Sequence, residues 1–171
     1  MRRLVLAPCV LCAAAAGTDA EDAGGFETKA ANGALTISKY RGSAREPVIP
    51  AVINGLPVTA IGDGAFSRCS DLTAVTIPSS VTAIGEGAFM GCSSLETITI
   101  PSSTTTIGIY AFSDCSSLTI VMIPSSITTI GDSTFKDCSS LTNITIPSSV
   151  TTIGYSAFSG CSGLTNVTIP W

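Results

Sequence analysis

A block of 23 residues recurs along this chain, and that recurrence restricts the fold to a stack of like turns. Cys69, Cys92, Cys115, Cys138 and Cys161 are spaced by 23 residues. The same spacing separates Phe66, Phe89, Phe112, Phe135 and Phe158, and again Pro78, Pro101, Pro124, Pro147 and Pro170. A unit this short cannot bury its apolar face alone. Stacked neighbours must do so, which makes a repeat solenoid the expected architecture.

One copy shows how the unit works. In Leu95-Glu96-Thr97-Ile98-Thr99-Ile100-Pro101, Ile98 and Ile100 alternate with Thr97 and Thr99, the period of a half-buried strand. Pro101 ends the strand because proline donates no hydrogen bond to a ladder. Ser102-Ser103 marks the turn, Ile107 supplies a second apolar position, and Gly108 is expected to permit a bend. Ala111-Phe112 then fills the far wall of the coil, each Phe stacking on the Phe one turn away. Few or no α-helices are expected in such a solenoid.

The two ends differ from the repeats. Arg2 and Arg3, the apolar run Leu4–Ala16 and the small residues Ala14, Ala16 and Ala20 read as a secretory signal over 1–20, cleaved after Ala16 or Ala20. The apolar run has 13 residues, against the ~20 that span a bilayer, so no integral membrane segment is expected in the mature chain. Residues 21–46 read as a capping hairpin: strands at Phe26–Lys29 and Leu35–Tyr40 flank Asn32-Gly33, a strong hairpin-turn signal. Residues 47–171 are the repeats, about five regular units after a divergent first at Val48-Ile49-Pro50.

Composition excludes several functions. Charged residues make up 12% of the chain and the net charge is −4. From residue 60 onward only Arg68 and Lys136 are cationic, so the basic footprint of a nucleic-acid binder is missing. No histidine is present, which removes the commonest general base and rules out a Ser-His-Asp arrangement. No Gly-rich phosphate loop occurs. The chain is read as non-catalytic, with no cofactor.

The unit Cys-Ser-Ser-Leu-Thr-x-Ile-Thr-Ile-Pro-Ser-Ser-Val-Thr-x-Ile-Gly-x-x-Ala-Phe resembles the BspA-type, or Treponema-type, leucine-rich repeat. The resemblance covers roughly 36–170 and includes Tyr40-Arg41-Gly42 and Asn54-Gly55-Leu56-Pro57-Val58. It implies a leucine-rich-repeat horseshoe with a parallel strand ladder on its concave side. It also implies a secreted or cell-surface protein, several relatives being adhesins for matrix proteins or other cells.

On that fold the outward strand positions form the expected ligand surface: Ala74, Thr76, Thr97, Thr99, Ile120, Met122, Asn143, Thr145, Asn166 and Thr168. Ile120 and Met122 make an apolar spot at its centre. Asn143-Ile144-Thr145 and Asn166-Val167-Thr168 fit the N-glycosylation acceptor pattern. The repeat cysteines admit metal binding, inter-turn disulfides or a buried column of thiols. No close Cys pair occurs among them. In-register side chains also keep Cβ atoms near ~4.8 Å, wider than the ~3.8 Å a disulfide prefers. The pattern therefore favours the buried column.

The functional expectation is an interaction protein that binds a protein or glycan at a cell surface or matrix through the concave face. Two other readings compete. One is a structural or truncated repeat protein without its own ligand, since the chain stops at Ile169-Pro170-Trp171 with no polar capping unit and an edge open to association. The other is an ice-binding surface built on the threonine columns Thr76, Thr99, Thr145, Thr168 and Thr106, Thr129, Thr152.

Overall fold

A computed structural model describes residues 20–21 and 24–169. Nearly all of the secretory segment 1–20, including the cleavage position at Ala16, lies outside the described residues, as does Trp171. The strands in chain order are β1 (Ala20–Glu21), β2 (Phe26–Ala31), β3 (Ala34–Tyr40), β4 (Val52–Ile53) and β5 (Leu56–Ile61). Two short strands per turn follow: β6 (Ala74–Val75), β7 (Ala83–Ile84), β8 (Thr97–Thr99), β9 (Thr106–Ile107) and β10 (Ile120–Met122). The last are β11 (Thr129–Ile130), β12 (Asn143–Thr145), β13 (Thr152–Ile153) and β14 (Asn166–Thr168). Among the described residues there is no α-helix.

The coil has two strand walls. One is the parallel sheet β6-β8-β10-β12-β14, whose register is the repeat itself: Val121 pairs with Ile98 on one side and Ile144 on the other. Val48 extends this wall through a parallel bridge to Thr76. The other wall runs β3-β5-β7-β9 in parallel and continues as the β11-β13 pair. The β2-β3 hairpin turns at Asn32 and Gly33, both left-handed at φ 52° and 77°, and joins the first turn through β3 on β5. The strands reach Ala31 and Ala34 at the turn, two residues beyond the sequence expectation for β2 and one before it for β3.

The interior is a set of columns. Leu72, Leu95, Leu118 and Leu141 are buried above one another, as are Val75, Ile98, Val121 and Ile144. Phe66, Phe89, Phe112, Phe135 and Phe158 stack with ring centroids 4.9–5.5 Å apart and planes within 16° of parallel. Tyr40 of the hairpin lies 5.2 Å from Phe66, so the aromatic column continues into the N-terminal strands. Two interior positions break the apolar pattern. Thr104 stands where neighbouring turns have Val81 and Ile127, and its hydroxyl donates to Val81 O. Thr134 stands in an alanine column and donates to Gly131 O. The Thr104 and Thr134 hydroxyls are thus satisfied, which removes most of the cost of their burial.

The repeated glycine has a different cause from the bend expected at Gly108. Gly62, Gly85, Gly108, Gly131 and Gly154 have no left-handed φ. Their constraint is close approach: a Cβ on Gly108 would lie 2.5 Å from Glu86 N and from Gly85 C of the preceding turn. The left-handed positions come later, two per turn. They are Gly64 and Arg68, Gly87 and Gly91, Tyr110 and Asp114, Ser133 and Asp137, and Ser156 and Gly160.

Because each turn is buried only by its neighbours, an internal stack residue should be required by the whole array. Phe112→Ala should cost about 3–5 kcal/mol, and Phe112→Asp should unfold the chain cooperatively by burying a charge. A thermal melt of Phe112→Asp that superimposes on wild type would remove the stack as the core.

Candidate functional site

The β6-to-β14 wall exposes the alternate side chains that the strand period turns outward. Ala74 is half-buried, and Thr76, Thr97, Thr99, Ile120, Met122, Asn143, Thr145, Asn166 and Thr168 are exposed. The register aligns them in two columns, Ala74-Thr97-Ile120-Asn143-Asn166 and Thr76-Thr99-Met122-Thr145-Thr168. Ile120 is 55% exposed and Met122 75%. Val48, 65% exposed, joins the second column through Thr76. It was missed in the sequence because its copy diverges, and only the bridge places it on this wall.

Many hydroxyls near this wall are already engaged. Thr119 Oγ1 donates to Glu96 O, Thr142 Oγ1 to Thr119 O and Thr165 Oγ1 to Thr142 O, each across one turn at 3.2–3.4 Å. The other wall repeats the device with Thr82, Thr105 and Thr151. These threonines bind turn to turn, which is a structural use that the alternation pattern did not separate from a recognition use. Asn166 Nδ2 donates to Asn143 Oδ1 at 2.8 Å, and Asn143 Nδ2 donates to Thr142 Oγ1 at 2.9 Å. The two glycosylation-pattern asparagines therefore form a side-chain amide ladder. The threonine column of the concave wall is interrupted by Met122, the most exposed of its apolar residues.

The five repeat cysteines are free, and their role is more specific than filling space. Cys92 Sγ donates to Phe66 O, Cys115 Sγ to Phe89 O, Cys138 Sγ to Phe112 O and Cys161 Sγ to Phe135 O, at 3.0–3.2 Å. The same Phe carbonyl accepts the backbone N–H of the cysteine three residues on, as Phe89 O does from Cys92 N at 3.1 Å. Each carbonyl thus receives one donor from its own turn and a thiol from the next. Burial pushes every thiol up, Cys92 and Cys138 to about 12. Cys69 and Cys161, at the two ends of the column, are only half-buried.

Carboxylates on the turn wall also act between turns. Asp63 Oδ1 accepts the N–H of Glu86 and Asp132 Oδ1 that of Tyr155. A Cβ on Gly85 or Gly154 would collide with these carboxylates, so each Asp depends on the glycine 22 residues later. Among the described residues no group of three or more His, Cys, Asp or Glu could hold a metal, and no helix is long and apolar enough to cross a membrane.

The pattern that builds this wall is recognised in known proteins. The model of the BspA type leucine rich repeat region matches residues 59–171 in six copies. The chain belongs to the BspA-type leucine-rich repeat family. Its fold is similar to that of a leucine-rich repeat protein of T. pallidum, with 36% identity over 85% of this chain and 69% of that one, at a TM-score of 0.82. A leucine-rich repeat protein from Bacteroides ovatus matches at 36% identity over 85% of this chain, with a TM-score of 0.77. A leucine rich cell surface protein from Faecalibacterium prausnitzii matches at 38% identity over 85%, with a TM-score of 0.78. The chain spans 39% and 38% of the lengths of these last two. No curated protein matches this chain.

Two outcomes follow for the thiols of this BspA-type array. A thiol-specific disulfide reagent at neutral pH should label Cys69 and Cys161 at a measurable rate, with Cys92, Cys115 and Cys138 reacting only after denaturation. Peptide mapping checks this, and equal labelling of all five would contradict the buried ladder. The folded thiols also titrate above the ordinary 9.0, near 12 for Cys92 and Cys138. Their contribution to stability is therefore complete below the unfolded pKa and is lost as pH rises through that window. The melting midpoint should fall with alkalinity, and less steeply in a Cys92→Ala/Cys138→Ala variant.

Proposed function

We propose that this BspA-type chain is a secreted or cell-surface interaction protein that binds a protein or glycan through its concave strand face, without catalysis. The observation that carries this reading is the exposed column Val48-Thr76-Thr99-Met122 beside Ile120. At Val75, Ile98, Val121 and Ile144 regular alternation buries the apolar side chains of the same wall. Here it holds Met122 and Ile120 outward, where they can be covered only by another molecule. Methionine is unbranched and polarizable, so it adapts to a partner's contour. Threonine hydroxyls around it offer polar contacts at low entropic cost. The T. pallidum and cell-surface relatives support the class of protein, and the absence of histidine and of a phosphate loop supports the non-catalytic reading.

The Met122 interruption argues against a lattice-matched threonine surface, so no thermal hysteresis is expected. The decisive test is binding of the full chain to panels of immobilised matrix proteins and glycans. Met122→Glu and Thr99→Glu, made separately because the two positions are paired across the strands, should each lower binding at least tenfold, because a charge introduced at the contact must be desolvated. Both positions face solvent, so the melting midpoint should stay within about 2 °C, a shift of less than 1 kcal/mol for a chain of this size. Unchanged binding would overturn the concave-face assignment.

A further inference from the structure

The second strand wall, opposite the concave one, has a depression at its N-terminal end. One outward row crosses its strands as Lys29, Thr36, Ala60, Ala83 and Thr106, each paired with the next. Later turns keep a threonine in this row, at Thr129 and Thr152. Ala60 and Ala83 are therefore the two turns that lack its branched side chain, and Gly62 and Gly85, two residues on, carry none. These four small residues line a cavity of about 450 Å³ together with Lys29, Thr36, Ser38 and Asp63. That is within the range of ~300–1,000 Å³ usual for small-ligand sites.

The polar groups of this cavity are not used up by the fold. Lys29 is exposed and makes no ion pair among the described residues. Its neighbours in charge are engaged: Lys39 donates to Gly64 O, Arg41 pairs with Glu27, and Arg45 donates to Asp71 O. Ser38 Oγ is buried without a hydrogen-bond partner, a cost that the fold leaves in place. Asp63 accepts the Glu86 N–H through Oδ1 at 2.8 Å, which leaves Oδ2 as an acceptor. Five of the six cations beyond residue 3 lie between residues 29 and 68, with Lys136 the other. The end of the coil that holds the cavity is thus the cationic end of an acidic chain.

These groups define the ligand's chemistry. One cation, Lys29, matches one negative charge, and Asp63 would repel a more highly charged phosphate. Two hydroxyls add donors for that anion, Asp63 requires a donor from the ligand, and the Ala60 and Ala83 methyls offer a flat alkyl floor. We propose that this cavity is a second binding site, for a sugar that carries a carboxylate, of the uronic or sialic acid class. The sugar's carboxylate pairs with Lys29 Nζ and accepts from Thr36 Oγ1, and from Ser38 Oγ after rotation about χ1. Ring hydroxyls donate to Asp63 Oδ2, and the C–H face of the ring rests on the two alanines. The site stands apart from the concave strands, so it holds or fails independently of the concave-face reading.

The test titrates the isotopically labelled full chain with glucuronate, N-acetylneuraminate, glucose and acetate, and follows the amide resonances. At least one of the two acidic sugars should shift the amides of Ala60, Gly62, Ala83 and Gly85, and its binding should weaken as salt rises. Glucose lacks the charge and acetate lacks the ring, so each should bind at least tenfold more weakly. Lys29→Gln should lower acidic-sugar affinity about tenfold. Ala83→Thr installs the residue that later turns carry in this row, so it should fold like wild type, fill the floor and abolish binding. Ser38→Ala should lower affinity about threefold and raise the melting midpoint, because it removes an unpartnered buried hydroxyl. Met122→Glu, on the other wall, should leave this affinity unchanged. No shift with either acidic sugar, equal binding of glucose or acetate, or insensitivity to Lys29→Gln or to Ala83→Thr would each overturn the proposal.

Discussion

Everything in this structure depends on the phenylalanine of each turn meeting its copy one turn away. Its ring stacks within 5.5 Å of the next ring. In Phe89, Phe112 and Phe135 the N–H donates to the following turn, and the carbonyl accepts from its own cysteine N–H and the next cysteine's thiol. A single residue thus carries apolar burial, backbone pairing and a side-chain hydrogen bond across the same interface. Insertion of one residue within a turn would displace all three together, which is why the spacing between Phe66 and Phe158 does not vary. The longer first unit places its extra residues at β4 and the turn Asn54-Gly55, a hairpin on β5 that leaves the phenylalanine spacing untouched and buries Ile53.

That economy leaves recognition to few positions. Threonines that look alike in sequence fall into two groups in space. Thr119, Thr142 and Thr165 donate to the carbonyl one turn back and hold the coil together. Thr97, Thr99, Thr145 and Thr168 lie exposed on the concave strands, beside Ile120 and Met122. Asn143 and Asn166 are intermediate, exposed but bonded to each other. The distinction rests on which threonine precedes the strand and which lies within it. A one-residue shift in the same pattern changes a hydroxyl from cohesion to contact.

The solenoid, the strand alternation, the phenylalanine stack and the outward columns were legible because each follows from period alone. Three features were not. The cysteines read as buried fillers, but their donation to Phe carbonyls requires the turn geometry. Gly108 and its copies read as bends, whereas they answer to backbone packed against backbone. The strained Tyr110 carries no sequence signal, because its turn is left-handed in every copy and glycine marks that only at Gly64 and Gly87.

The sequence by itself determined the period, and with it the number of turns, the identity of the core columns and membership of the BspA-type family. Period is enough there because each turn is buried only by copies of itself, so local pattern and tertiary contact coincide. Tertiary structure alone decided what lies beside what across turns: thiol against carbonyl, Asp132 against Tyr155, Val48 beside Thr76. Those contacts join residues 23 to 28 positions apart through backbone geometry. A periodic pattern specifies that turns stack, but the direction of each side chain in the stack is set by the φ and ψ of the turn that carries it.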